Sequence, residues 1–98
     1  PLDNALPWTE KTFNEIQNLH PTKQIVLDES GWATSAITSN GDESLIIGEA
    51  SEIAQKVFHD AYRQWLVDNH IVSYYFEALD EQWKGGEDKP DGIAEKNW

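Results

Sequence analysis

Two stretches of this chain set acids where an apolar run ends. In the first, Ile25-Val26-Leu27 is followed by Asp28, Glu29, Ser30, Gly31 and Trp32. An unbroken aliphatic run reads as a strand covered on both faces, and a glycine after it frees the backbone to turn. Strand alternation gives Glu29 the parity of Ile25 and Leu27, which predicts all three on one face. In the second stretch, Ile71-Val72-Ser73-Tyr74-Tyr75-Phe76-Glu77-Ala78-Leu79 runs into Asp80, Glu81, Gln82, Trp83 and Lys84. Ligands and catalytic side chains of α/β sheets and barrels gather at the C-terminal ends of strands. A lysine among carboxylates pairs with them and favours their ionised form. Such acids also cap helices, face solvent or tie down a loop, and position alone does not choose among these roles.

The elements that would hold these residues alternate. Residues 1–8 contain two prolines and read as irregular. Thr9 then reads as an N-cap, with Glu10 in the first turn and Trp8 and Phe13 at the positions of a hydrophobic staple. A helix of about three turns follows, ended by His20-Pro21. After the first strand comes a long loop, 33–48, with a turn at Asn40-Gly41-Asp42 and a short apolar segment at Leu45-Ile46-Ile47. The second helix carries two apolar rows, Ile53/Val57/Ala61/Trp65 and Ala54/Phe58/Tyr62/Leu66, expected to form one broad face against a sheet. Its other side holds Glu52, Gln55, Lys56, His59, Asp60 and Arg63, which makes His59 a solvated surface residue. Asp68-Asn69-His70 closes the helix before the second strand. The order helix, strand, loop, helix, strand implies an α/β fold with a parallel sheet. From Gly85 onward the chain is rich in Gly, Pro and acids.

Charge narrows the possible partners. Eighteen acids against seven Lys and Arg give a net charge of −11. A phosphate backbone or an anionic membrane surface is repelled by that balance, and no basic stripe offsets it. Neutral polysaccharide is compatible with it. The chain has no Cys, so it can form neither a disulfide nor a thiolate metal site. No apolar run approaches the ~18 residues of a membrane span. The N-terminal residues have neither the basic nor the apolar region of a signal peptide.

Glu29-Ser30-Gly31-Trp32-Ala33 after an apolar strand resembles the Glu-x-Gly-Trp-Pro signature of family 17 of the glycoside hydrolases, the β-1,3-glucanases and glucanosyltransferases. Ala33 stands where that family has Pro. The second stretch resembles the family's last-strand pattern, roughly Phe-x-x-Phe-Asp-Glu-x-x-Lys followed by a further Glu. Glu81 and Lys84 match its Glu and Lys, and Glu77 fits a variant of it. Glu95 falls at the later Glu. Both motifs are in the family's order, with a helix between them as the family has.

The resemblance implies a C-terminal portion, 1–98, of a single (β/α)8 TIM barrel, comprising its last strands and helices. A whole barrel needs about 250 residues. It implies a retaining enzyme on β-1,3-glucan with Glu29 as the catalytic nucleophile and no cofactor or metal. Trp32, Glu77, Glu81, Trp83 and Lys84 would contact substrate or support the site. Indole faces stack on pyranose rings, which favours Trp32 and Trp83 as sugar contacts, whereas Trp8, Trp65 and Trp98 read as packing residues. The family's acid/base Glu lies on an earlier strand, so the parent protein is expected to be active and this chain alone inert. Its open sheet edges would be met by the rest of the barrel or by self-association. By the same resemblance the parent would work outside the cell, in the periplasm or at the cell surface. The rival reading is a non-catalytic acidic module that binds glycan or protein through exposed tryptophans.

Overall fold

A computed structural model of the chain describes residues 2–37 and 48–84, together with Asn97. Expectations at 38–47 and 85–96, including the Asn40-Gly41-Asp42 turn, the Leu45–Ile47 segment and Glu95, lie outside the described residues, as does Trp98. Four elements occur in the order α1 (Leu2–Leu19), β1 (Val26–Ser30), α2 (Glu52–Asn69) and β2 (Val72–Tyr75). The two strands pair in parallel, with α2 as the crossover between them. This is a small α/β unit of two helices on a two-stranded parallel sheet.

The first helix begins earlier than its sequence suggests. Pro7 lies inside it, and Asp3 occupies its first turn, where the helix dipole favours an acid. Thr9 caps nothing. Its hydroxyl donates back to the carbonyl of Ala5 at 3.0 Å, the i−4 bond open to a hydroxyl inside a helix. The staple does not close either, since Phe13 is buried while Trp8 is 68% exposed. Phe13 instead meets Trp65 of α2 edge-on at 5.6 Å, joining the two helices. His20 ends α1 as expected, its N–H shared between the carbonyls of Ile16 and Gln17.

Both ends of α2 are capped by local chemistry. Ser51 is extended, and its hydroxyl accepts from the Ala54 N–H at 3.0 Å. His70 takes the left-handed conformation at φ 54° and donates its N–H to the last turn, closing the helix as a glycine commonly would. The two expected apolar rows pack unequally, the first only through Trp65 at its end. Ala54, Phe58 and Tyr62 are buried, with Tyr62 wholly so, whereas Ile53 and Val57 are exposed. A broad apolar helix face needs a second packed layer, and among the described residues α2 meets α1, the narrow sheet and Trp32 just beyond it.

The rings of Phe58 and Tyr62 stack at 5.5 Å, and the Tyr62 hydroxyl lies 2.6 Å from that of Ser73 on β2. The side of the sheet carrying Leu27, Ser73 and Tyr75 therefore faces α2. The opposite side shows Val26, Val72 and Tyr74 to solvent. Among the described residues no helix is long and apolar enough to cross a membrane.

Candidate functional site

A bulge in β1 decides where its acids stand. Leu27 pairs with Ser73, and the next pair is Ser30 with Tyr75. Three steps on β1 thus match two on β2, and Asp28 and Glu29 together oppose Tyr74. The extra residue breaks the alternation that gave Glu29 the parity of Leu27. Ser30 takes the helix side instead, while Asp28 and Glu29 are exposed on the side away from α2. Glu29 makes no hydrogen bond or ion pair among the described residues. A carboxylate here is open to solvent and to any ligand at the end of the sheet.

Beside it, the end of β2 builds a compact charged cluster. The Phe76 N–H bonds the Ser30 carbonyl at 2.9 Å, so the strand ends stay in register as the chain leaves the sheet. The Phe76–Glu77 peptide is cis. A turn closed by the Lys84 N–H on the Glu81 carbonyl at 2.9 Å brings Lys84 back over the strand end. Its ammonium pairs with Glu81 and lies 3.5 Å from the Glu77 carboxylate. The same ammonium stands 4.1 Å from the Phe76 ring centroid and 5.6 Å from that of Trp83, within cation–π range. The Glu77, Glu81 and Lys84 side chains are all largely covered. Trp83 is 75% exposed.

Covering splits the two carboxyls. Burial, followed by contact with the Glu81 carboxylate, raises Glu77 above the usual carboxylate range. The bond from Lys84 lowers Glu81 below that range, and the same bond raises Lys84. One acid that holds its proton more tightly than usual thus stands beside one that ionises more readily and is paired with a lysine. Such a group can donate a proton or hydrogen bond to a ligand while also accepting from its hydroxyls.

Trp32 is placed differently from these residues. It faces the helix layer, 5.5 Å from the Phe58 ring, and donates its indole N–H to the Glu49 carbonyl at 2.7 Å. Gly48 lies beside the indole at φ 145°, a backbone conformation that favours glycine. Gln55 of α2 donates to the Trp32 carbonyl at 3.3 Å. The two tryptophans that follow the strand ends are therefore not gathered at one place: Trp83 joins the Glu77–Glu81–Lys84 cluster, and Trp32 packs toward α2.

Two clefts border these groups. One, of about 510 Å³, is lined by Lys56, His59, Tyr75 and Glu77 among others. His59 is thus only partly solvated. Its ring meets Tyr75 edge-on at 4.8 Å, and its Nδ1 lies 3.2 Å from the Asp60 carboxylate. Asp60 is lowered by its bonds to Lys56 and His59, and burial raises Tyr75. The other cleft, of about 440 Å³, lies between the first half of α1 and the end of β1 and includes Trp8 and Trp32. The sequence did not place Trp8 at a cleft, because residues 1–8 read as irregular and Trp8 as a packing residue ahead of the helix. Among the described residues no group of three or more His, Asp or Glu side chains could hold a metal ion.

In comparisons with protein families, with characterised proteins and with solved structures, the chain finds no match.

Proposed function

We propose that this chain is the C-terminal portion of a (β/α)8 barrel of a retaining β-1,3-glucan hydrolase or transglycosylase, with Glu29 as its nucleophile. The observation that carries the reading is the bulge. It leaves Glu29 exposed at the C-terminal end of a parallel strand, on the side away from the helices, next to the strand that bears the Glu77–Glu81–Lys84 cluster. That side is the interior of a barrel, where a catalytic carboxylate must project.

In a retaining enzyme one carboxylate attacks the anomeric carbon, and a second, about 5–5.5 Å away, protonates the leaving oxygen and later activates water. Glu29 takes the first role. The second belongs to an earlier strand of the parent, so these 98 residues alone are inactive. Glu77, Glu81 and Lys84 bind sugar hydroxyls and keep the local charge balanced, and Trp83 offers an exposed stacking face beside them.

The test is Glu29→Gln in the longest natural protein that carries these residues. Cleavage of β-1,3-glucan should fall by several orders of magnitude with the melting temperature unchanged. Retention of more than about a hundredth of kcat overturns the assignment. The exposure of Trp8 and Trp83 favours a second reading, a non-catalytic glycan- or protein-binding module. Glucan binding in a parent that has no second strand-end Glu and never cleaves glucan would select it.

A further inference from the structure

The cleft between α1 and the end of β1 has no part in the reaction proposed above. It opens on the helix side of the sheet, whereas Asp28 and Glu29 stand on the other side. Its volume of about 440 Å³ lies within the range of small-molecule sites, ~300–1,000 Å³. One wall is Trp32, fixed by its bond to Glu49 and by its contact with Phe58. The facing wall is α1, which presents Trp8 with 68% of its surface exposed. A large aromatic left in solvent at the mouth of a cleft is a costly placement for a residue with only a packing role.

The polar groups of the cleft are equally specific. Asn4 and Ser30 line it, and neither side chain has a hydrogen-bond partner among the described residues. No charged side chain lines it, in a chain with eighteen acids and seven Lys and Arg. A cation would find no carboxylate there and an anion would meet the field of a −11 protein, so the cleft suits a neutral ligand. That ligand needs an apolar face for Trp8 and hydroxyls for the amide and the serine. A pyranose has both.

We propose that this cleft binds one sugar unit of a neutral glycan, with Trp8 as the stacking face and Asn4 and Ser30 as hydroxyl partners. It would hold a glucan chain outside the reaction site and so raise the local concentration of substrate. The binding itself does not depend on Glu29 being a nucleophile.

The experiment uses the longest natural protein that carries these residues, with Glu29→Gln to prevent turnover, and follows the Trp8 indole N–H by NMR while laminaritriose is added. The Trp8 signal should shift and saturate. Trp8→Ala should weaken binding to insoluble β-1,3-glucan about tenfold, and Leu19→Ala, at the exposed far end of the same helix, should not. A Trp8 signal that stays still up to about 10 mM trisaccharide overturns the proposal. So does a stronger response to adenosine or free indole than to the sugar, or a Trp8→Ala variant that binds glucan as well as the parent. If Glu29→Gln leaves cleavage intact while Trp8 still shifts, the nucleophile assignment fails and the cleft stands.

Discussion

Glu77 and Glu81 carry the same functional group, yet they hold their protons with opposite strength because Lys84 bonds one far more closely than the other. The consequence for stability has two signs. Glu81, lowered in the fold, stabilises it above the ordinary carboxylate range, and this is lost as pH falls through its lowered midpoint. Glu77, raised in the fold, contributes at low pH and ceases to as pH climbs through its raised midpoint. Carboxyl-carbon NMR should therefore find Glu81 titrating below Glu77. In Lys84→Met the Glu81 midpoint should rise, and an unmoved Glu81 would show that the ion pair does not form in solution. The residues of this cluster were legible in the sequence, because an acid-rich strand end followed by Lys is a pattern. Their split was not, since it depends on the turn that folds Lys84 back.

Tyr62 joins α2 to the sheet, through its ring to Phe58 and through its hydroxyl to Ser73. Removing the ring with Tyr62→Ala should cost about 3–5 kcal/mol, a large share of what a small domain has. Tyr62→Phe keeps the stack but leaves the Ser73 hydroxyl without its partner, at about 1–3 kcal/mol. Adding Ser73→Ala should recover part of that loss. Urea melts of these variants and of Ser73→Ala alone, made in the longest natural protein that carries these residues, measure it, and additive losses would mean that the two hydroxyls do not interact. The second helix, both strands and their order followed from hydrophobic periodicity, which is strong where an element buries one face. The start of α1 did not. Pro7 and Thr9 are helix-starting residues by preference, and here Thr9 instead bonds back to Ala5 within a helix already under way. The bulge left no trace either, because Asp28 and Glu29 are both polar and their alternation carries no apolar signal.

The described residues leave a good deal of surface open. Part of that surface is apolar: Val26, Val72 and Tyr74 on the open side of the sheet, and Ile53 and Val57 on α2. Among the described residues each strand also has one unpaired edge, which recruits other chains. These features predict that residues 1–98 do not persist as a folded, monodisperse monomer. A net charge of −11 opposes self-association at low salt, so the associated fraction should rise with ionic strength. Sedimentation equilibrium at two salt concentrations, with a thermal melt, decides it. Monomer mass with a cooperative melt in both would refute the prediction.

The bulge in β1 works as a reading frame for side chains. Exchanging Asp28 for another residue would change one group, and deleting it would remove the bulge and leave Glu29 alone opposite Tyr74, away from α2. Only straightening the strand with both acids kept would turn Glu29 toward the layer built on Phe58 and Tyr62. An unpaired carboxylate in that aromatic layer would cost several kcal/mol. Melting curves of the longest natural protein that carries these residues should therefore find both Asp28→Ala and the deletion tolerated, and a collapse on deletion would mean that the strand shifts register instead of losing its bulge. At this strand end the bulged pairing, and not the alternation of the sequence, determines whether Glu29 meets solvent or core.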